Sequence, residues 1–70
     1  MTEELSYNRH DIRRRHKIYI KSIERWMEDI ETLISLLIEN KHEDKAKDWA
    51  VLYNSLSIIK DLWAKLVDEL

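Results

Sequence analysis

The sequence predicts an all-α protein, an antiparallel two-helix hairpin that dimerises into a four-helix bundle. Gly and Pro are both absent from the 70 residues, although turns and sheet edges depend on those two residue types. Apolar residues recur at spacings of three and four, which is the period of an amphipathic helix. A short polar segment, residues 40–44, interrupts this pattern, as expected where two antiparallel helices are connected.

Helix 1 is expected over about residues 9–39. Asn8 is the predicted N-cap, with Asp11 at the third helical position to complete a capping-box-like pair. Asn40 is predicted to take the left-handed conformation that ends a helix. The apolar seam of helix 1, spaced alternately by four and three residues, consists of Ile12, His16, Tyr19, Ile23, Trp26, Ile30, Leu33 and Leu37.

Helix 2 is expected over about residues 44–68, after a turn at about 40–43. Its seam consists of Trp49, Leu52, Leu56, Ile59, Trp63, Leu66 and Leu70. If the chain folds back in the turn, the two seams match along their length, with Tyr19 opposite Trp63. Residues 1–70 are therefore predicted to form a single helical-hairpin domain.

Apolar residues outside the two seams are expected to stay exposed in a lone hairpin, and exposed apolar patches of this size mark an interface. These predicted partner-interface residues are Ile20, Met27, Ile34, Ile38, Val51, Ile58 and Leu62. A chain this short rarely buries enough apolar surface to be stable alone. We therefore expect a homodimer or a complex with a larger protein.

Charge is distributed unevenly along the chain. Residues 1–25 hold seven Lys and Arg against four Asp and Glu, whereas residues 26–70 hold five against ten. A basic stripe is predicted along helix 1, comprising Arg9, Arg13, Arg14, Lys17, Lys21 and Arg25. It contacts nucleic acid or an acidic protein in one interpretation, and pairs with Asp61, Asp68 and Glu69 at the acidic C-terminal end in the other.

His16 is the polar member of the helix 1 seam. We expect a histidine at the open end of the hairpin that bonds to an acid such as Glu69, rather than a metal or haem ligand. His42, Glu43 and Asp44 resemble metal ligands in type, but acids in the first turn of a helix need no metal to explain them. The sequence therefore predicts no cofactor and no metal.

Motifs that would indicate catalysis are missing from the sequence. It has no Cys, no Gly-rich phosphate loop and no Gly-flanked serine. No apolar run approaches the length of a membrane span, and we expect a cytoplasmic protein. The predicted function is a non-enzymatic interaction module, an adaptor, inhibitor or regulator. The alternatives are a nucleic-acid-binding regulator that uses the basic stripe and a dimeric all-α enzyme.

Overall fold

The computed structural model describes residues 8–70 and contains two helices packed against each other. Helix α1 spans Arg9–Glu39 and helix α2 spans Glu43–Asp68, where ranges of about 9–39 and 44–68 were expected. The predicted all-α hairpin is confirmed. The described part measures 55 × 17 × 15 Å, an elongated rod set by the length of α1. A single domain over residues 1–70 stays a prediction, since residues 1–7 lie outside the described part.

The start of α1 is fixed by the side chain of Asn8, as predicted. Its backbone is extended, with φ −74° and ψ 106°, and its Oδ1 accepts from the backbone N–H groups of His10 and Asp11 at 3.0 and 3.3 Å. Two N–H groups that have no partner within the helix are thereby satisfied. The carboxylate of Asp11 accepts from the guanidinium of Arg14 at 2.7 Å.

The prediction that Asn40 takes the left-handed conformation is wrong, because Lys41 does so instead, with φ 63°. Asn40 remains in the last turn of α1 at φ −96°. Its Nδ2 and its backbone N–H both donate to the carbonyl oxygen of Leu36, at 2.7 and 3.1 Å. The N–H of His42 then donates to the carbonyl of Leu37 at 2.8 Å, the long hydrogen bond of a Schellman motif.

The helices pack along the predicted seams only in part, since His16, Ile23, Ile30 and Leu37 of the α1 seam face α2, whereas most of the α2 seam is exposed. On each helix, the residues that face the other helix form what we call its contact line. The contact line of α1 consists of His16, Ile20, Ile23, Met27, Ile30, Ile34 and Leu37. The contact line of α2 consists of Ala46, Ala50, Tyr53, Ser57, Lys60, Ala64 and Val67. On α2 each of these positions except Ala46 follows a seam residue, so α2 is turned by about 100° from the predicted orientation.

Side-chain size explains this rotation. The predicted seam of α2 holds only large residues, whereas its contact line holds three alanines and a serine. Small side chains let two helices approach closely, and larger residues such as Ile23 and Met27 of α1 then fill the space between them.

The core between the helices is thin. Ile20 and Met27, expected to be uncovered, are 9% and 7% exposed, so that expectation is wrong. The other buried residues are Ile23, Ala46 and Val67, and no described side chain is less than 2% exposed. The lengthwise register agrees with the prediction at one layer, where the rings of Tyr19 and Trp63 have centroids 6.2 Å apart.

Candidate interaction surfaces

One side of the hairpin is a continuous apolar surface, which we call the apolar face. Its exposed members are Tyr19, Trp26, Trp49, Leu52, Ile59, Leu66 and Leu70. All seven belong to the predicted seams, and the rotation of the helices places them outside the contact lines. The contact between Tyr19 and Trp63 bridges α1 and α2 on this side, which shows that both helices contribute to one surface.

Charge is almost excluded from the apolar face where α2 forms it. From Trp49 to Leu70, the seam positions of α2 are Trp or an aliphatic residue throughout. The helical part of this strip, residues 49–68, extends about 30 Å. On α1 the same side also carries Asp29, an exposed charge that precedes the contact-line residue Ile30. An apolar strip as long as that of α2 resembles a protein core cut open, which is typical of stable interfaces.

The outer side of α2 carries a narrower apolar group, which we call the outer stripe. It consists of Val51, Ile58 and Leu62, and Ile58 is 70% exposed. These residues were expected to be exposed and they are, as is Ile38 on α1. Ile34 is half-buried in the contact line. Ser55 and Lys65 interrupt the outer stripe, so it is less continuous than the apolar face.

The opposite side of the hairpin carries a cationic groove on the first three turns of α1. It is lined by His10, Arg13, Arg14, Lys17, Ile18 and Lys21. Four of the six predicted residues of the basic stripe meet here, whereas Arg9 and Arg25 are exposed outside the groove. His10 lies with them, because successive spacings of four, three and four residues place His10, Arg14, Lys17 and Lys21 on the same helix face.

The carboxylates at the end of α2 do not neutralise this groove. Among residues 8–70, the ion pairs join Arg14 to Asp11 at 2.7 Å, and Lys60 to Glu24 and Asp61 at 3.8 and 3.9 Å. The pairs expected between the basic stripe and the C-terminal acids are therefore not formed within the described hairpin. Arg13 is half-buried towards α2, and its Nε has no hydrogen-bond partner.

His16 bonds to a tryptophan rather than to the expected acid. The indole Nε1 of Trp63 donates to His16 Nδ1 at 2.9 Å. An indole N–H can only donate, so His16 Nδ1 is the acceptor in this contact. Its ring also lies edge-on to Tyr19, with centroids 5.3 Å apart. The rings of His16, Tyr19 and Trp63 form an aromatic cluster with polar ring atoms at the boundary between the contact lines and the apolar face.

Neither helix of residues 8–70 is long and apolar enough to cross a membrane. The same residues contain no group of three or more His, Asp or Glu placed to hold a metal ion. Comparison with known proteins finds no match to a family model, a curated protein or a solved structure. The function is therefore inferred from the surfaces themselves.

Proposed function

We propose that this protein is a non-catalytic interaction module that self-associates through its apolar face into a four-helix bundle. The observation that carries the proposal is the apolar face, to which both helices contribute and which has no charged seam position along α2. Large aromatic residues lie half-exposed on it, including Trp26 at 55%. Water contact with such a surface is unfavourable, and a second apolar surface removes it.

The size of the apolar face fits a dimer. Three aromatic and four aliphatic side chains exposed by about half offer about 600 Å² per chain, given the areas that such residues bury. Two copies would then bury about 1,200 Å², the lower limit for a stable protein–protein interface. The half-buried residues between these side chains add to this area, so a second copy is a sufficient partner.

The thin core supports the same proposal. Only five described residues are buried, and a chain of this length needs oligomerisation or very regular packing to be stable. Placing two apolar faces against each other would turn the half-exposed tryptophans into core residues. A two-fold axis suits this arrangement because the face then meets its own copy, and the uncharged α2 part of the face brings no like charges together.

Sedimentation equilibrium on matched variants tests the proposal. Ile58 and Ile59 are neighbours of the same type, 70% and 49% exposed, and they lie about 100° apart around α2. Ile59 belongs to the apolar face and Ile58 to the outer stripe. We expect the wild type to sediment at twice the chain mass of 8.6 kDa. Ile59→Lys should weaken the dimer at least about 100-fold, since this substitution would bury two unpaired charges in the interface.

Ile58→Lys is the control and should leave the dimer unchanged. A wild type that stays monomeric at 100 µM while unfolding cooperatively would refute self-association. Equal weakening by both substitutions, or a stronger effect of Ile58→Lys, would contradict the apolar face as the interface. It would favour the outer stripe, whose three residues the sequence predicts as part of the interface. Circular dichroism on each variant establishes that any change in mass is not a loss of helix.

A further inference from the structure

We propose that the cationic groove binds the sugar–phosphate backbone of a nucleic acid. The inference is independent of self-association, since it rests on a different surface of the hairpin. His10, Arg14, Lys17 and Lys21 form a line along α1 about 17 Å long, with Arg13 beside it. One strand of a duplex carries a phosphate about every 3.4 Å along its axis, so a line of this length lies alongside about five phosphates.

The local charge favours an anionic ligand despite the net charge of −2. Residues 8–25 hold seven Lys and Arg against two acids. One of those acids, Asp11, is already paired with Arg14. Asp68 lines the adjoining groove beside Lys17 and Lys21, yet it forms no ion pair with either within residues 8–70. Lys17 and Lys21 therefore remain available to an external anion.

The composition of the groove favours phosphate over an acidic protein. Protein interfaces derive most of their binding energy from buried aromatic and apolar anchors surrounded by a polar rim. Among residues 8–70, the only apolar residue lining this groove is Ile18. Backbone binding by a nucleic-acid-binding protein instead depends on cations that displace condensed counterions, and it requires no apolar anchor.

The two surfaces can be used at the same time. Tyr19 and Trp26 of the apolar face precede contact-line residues of α1, whereas Lys17 and Lys21 of the groove follow contact-line residues. The two sets therefore point to opposite sides of the hairpin. A partner that covers the apolar face leaves the groove open, and binding of nucleic acid needs no dissociation.

Fluorescence anisotropy with a labelled 20-base-pair DNA duplex and a single-stranded RNA of equal length tests this inference between 50 and 200 mM NaCl. Four phosphate contacts predict that log affinity for the duplex falls against log salt with a slope of about −3.6, or about 150-fold over that range. Lys17→Ala/Lys21→Ala should reduce the magnitude of the slope by about 2. Lys45→Ala/Lys47→Ala removes the same charge from exposed residues at the other end of the hairpin and should leave the slope unchanged.

No binding at 50 mM salt would overturn the inference, as would equal losses in the two double variants. Polyglutamate is added as a competitor, and displacement of the duplex at equal charge concentration would assign the groove to acidic proteins instead. A steeper dependence with the duplex than with the single strand is expected, because about 0.9 rather than 0.7 counterions are released per contact. Sedimentation of the double variants shows whether they keep the oligomeric state of the wild type, which separates this result from the test of self-association.

Discussion

The hydrogen bond between Trp63 and His16 predicts what one polar contact between the helices contributes to the stability of the hairpin. The indole Nε1 of Trp63 donates to Nδ1 of His16 at 2.9 Å, and both side chains are half-buried. The perturbation is Trp63→Phe, because phenylalanine keeps an aromatic ring but has no N–H to donate. A half-buried acceptor that loses its donor lowers the stability of the folded chain.

The magnitude follows from the geometry of the bond. At 2.9 Å between half-buried partners, it should contribute about 1 kcal/mol to the free energy of unfolding. In a domain of this size, 1 kcal/mol corresponds to a shift of about 4–8 °C in Tm.

The assay is a double-mutant cycle of thermal unfolding on the wild type, Trp63→Phe, His16→Leu and the double variant, at one pH and one protein concentration. The cycle separates the hydrogen bond from the packing that each substitution also changes. The double variant should be about 1 kcal/mol more stable than the sum of the two single effects predicts. Strictly additive effects would refute the role assigned to this bond.

Two further predictions concern the turn and the contact line. Lys41→Gly should raise the free energy of unfolding by about 1 kcal/mol in urea denaturation, since Lys41 occupies the left-handed region that favours glycine. Lys41→Ala removes the charge but keeps a Cβ, so it should not raise the free energy of unfolding. Lys60→Met should stabilise the hairpin by about 0.5–1 kcal/mol, because an apolar side chain replaces a cation whose pair with Glu24 is 3.8 Å long. A lower urea midpoint for either variant would contradict the corresponding argument.

The fold could be predicted because its signals are local. The absence of Gly and Pro, the spacing of apolar residues and the cap at Asn8 each depend on near neighbours in sequence. The left-handed residue after α1 was predicted one position too early because the amide of Asn40 bonds back to Leu36. Propensity identifies asparagine as a left-handed residue but does not show that its side chain has this alternative partner.

The orientation of the helices could not be predicted from periodicity alone. Periodicity identifies the centre of the apolar sector, meaning the apolar side of an amphipathic helix. A helix with a single partner would turn that centre towards the partner. Here Trp26 and Ile59 lie on the sector but outside the hairpin contact. The contact uses one edge of the sector on each helix, which is the arrangement expected when a helix has two neighbours, as it has in a four-helix bundle.

The cationic groove was only partly predictable for a similar reason. Charge counts identified Arg13, Arg14, Lys17 and Lys21, but whether the C-terminal acids neutralise them depends on the rotation of α2. Turning α2 leaves Asp68 beside the groove without an ion pair. The sequence places His16 at the open end, but periodicity identifies Trp63 only as an apolar seam residue and does not reveal the partner of its indole N–H.

The small side chains of α2 have a consequence for recognition. Ala50, Ser57 and Ala64 sit between the helices and set the distance between the two axes. That distance determines how far Trp26 on one helix stands from Ile59 on the other, and so the width of the surface that any partner must match. These residues contact no partner themselves. Their volumes nevertheless determine the width of the apolar face and therefore which second surface fits it.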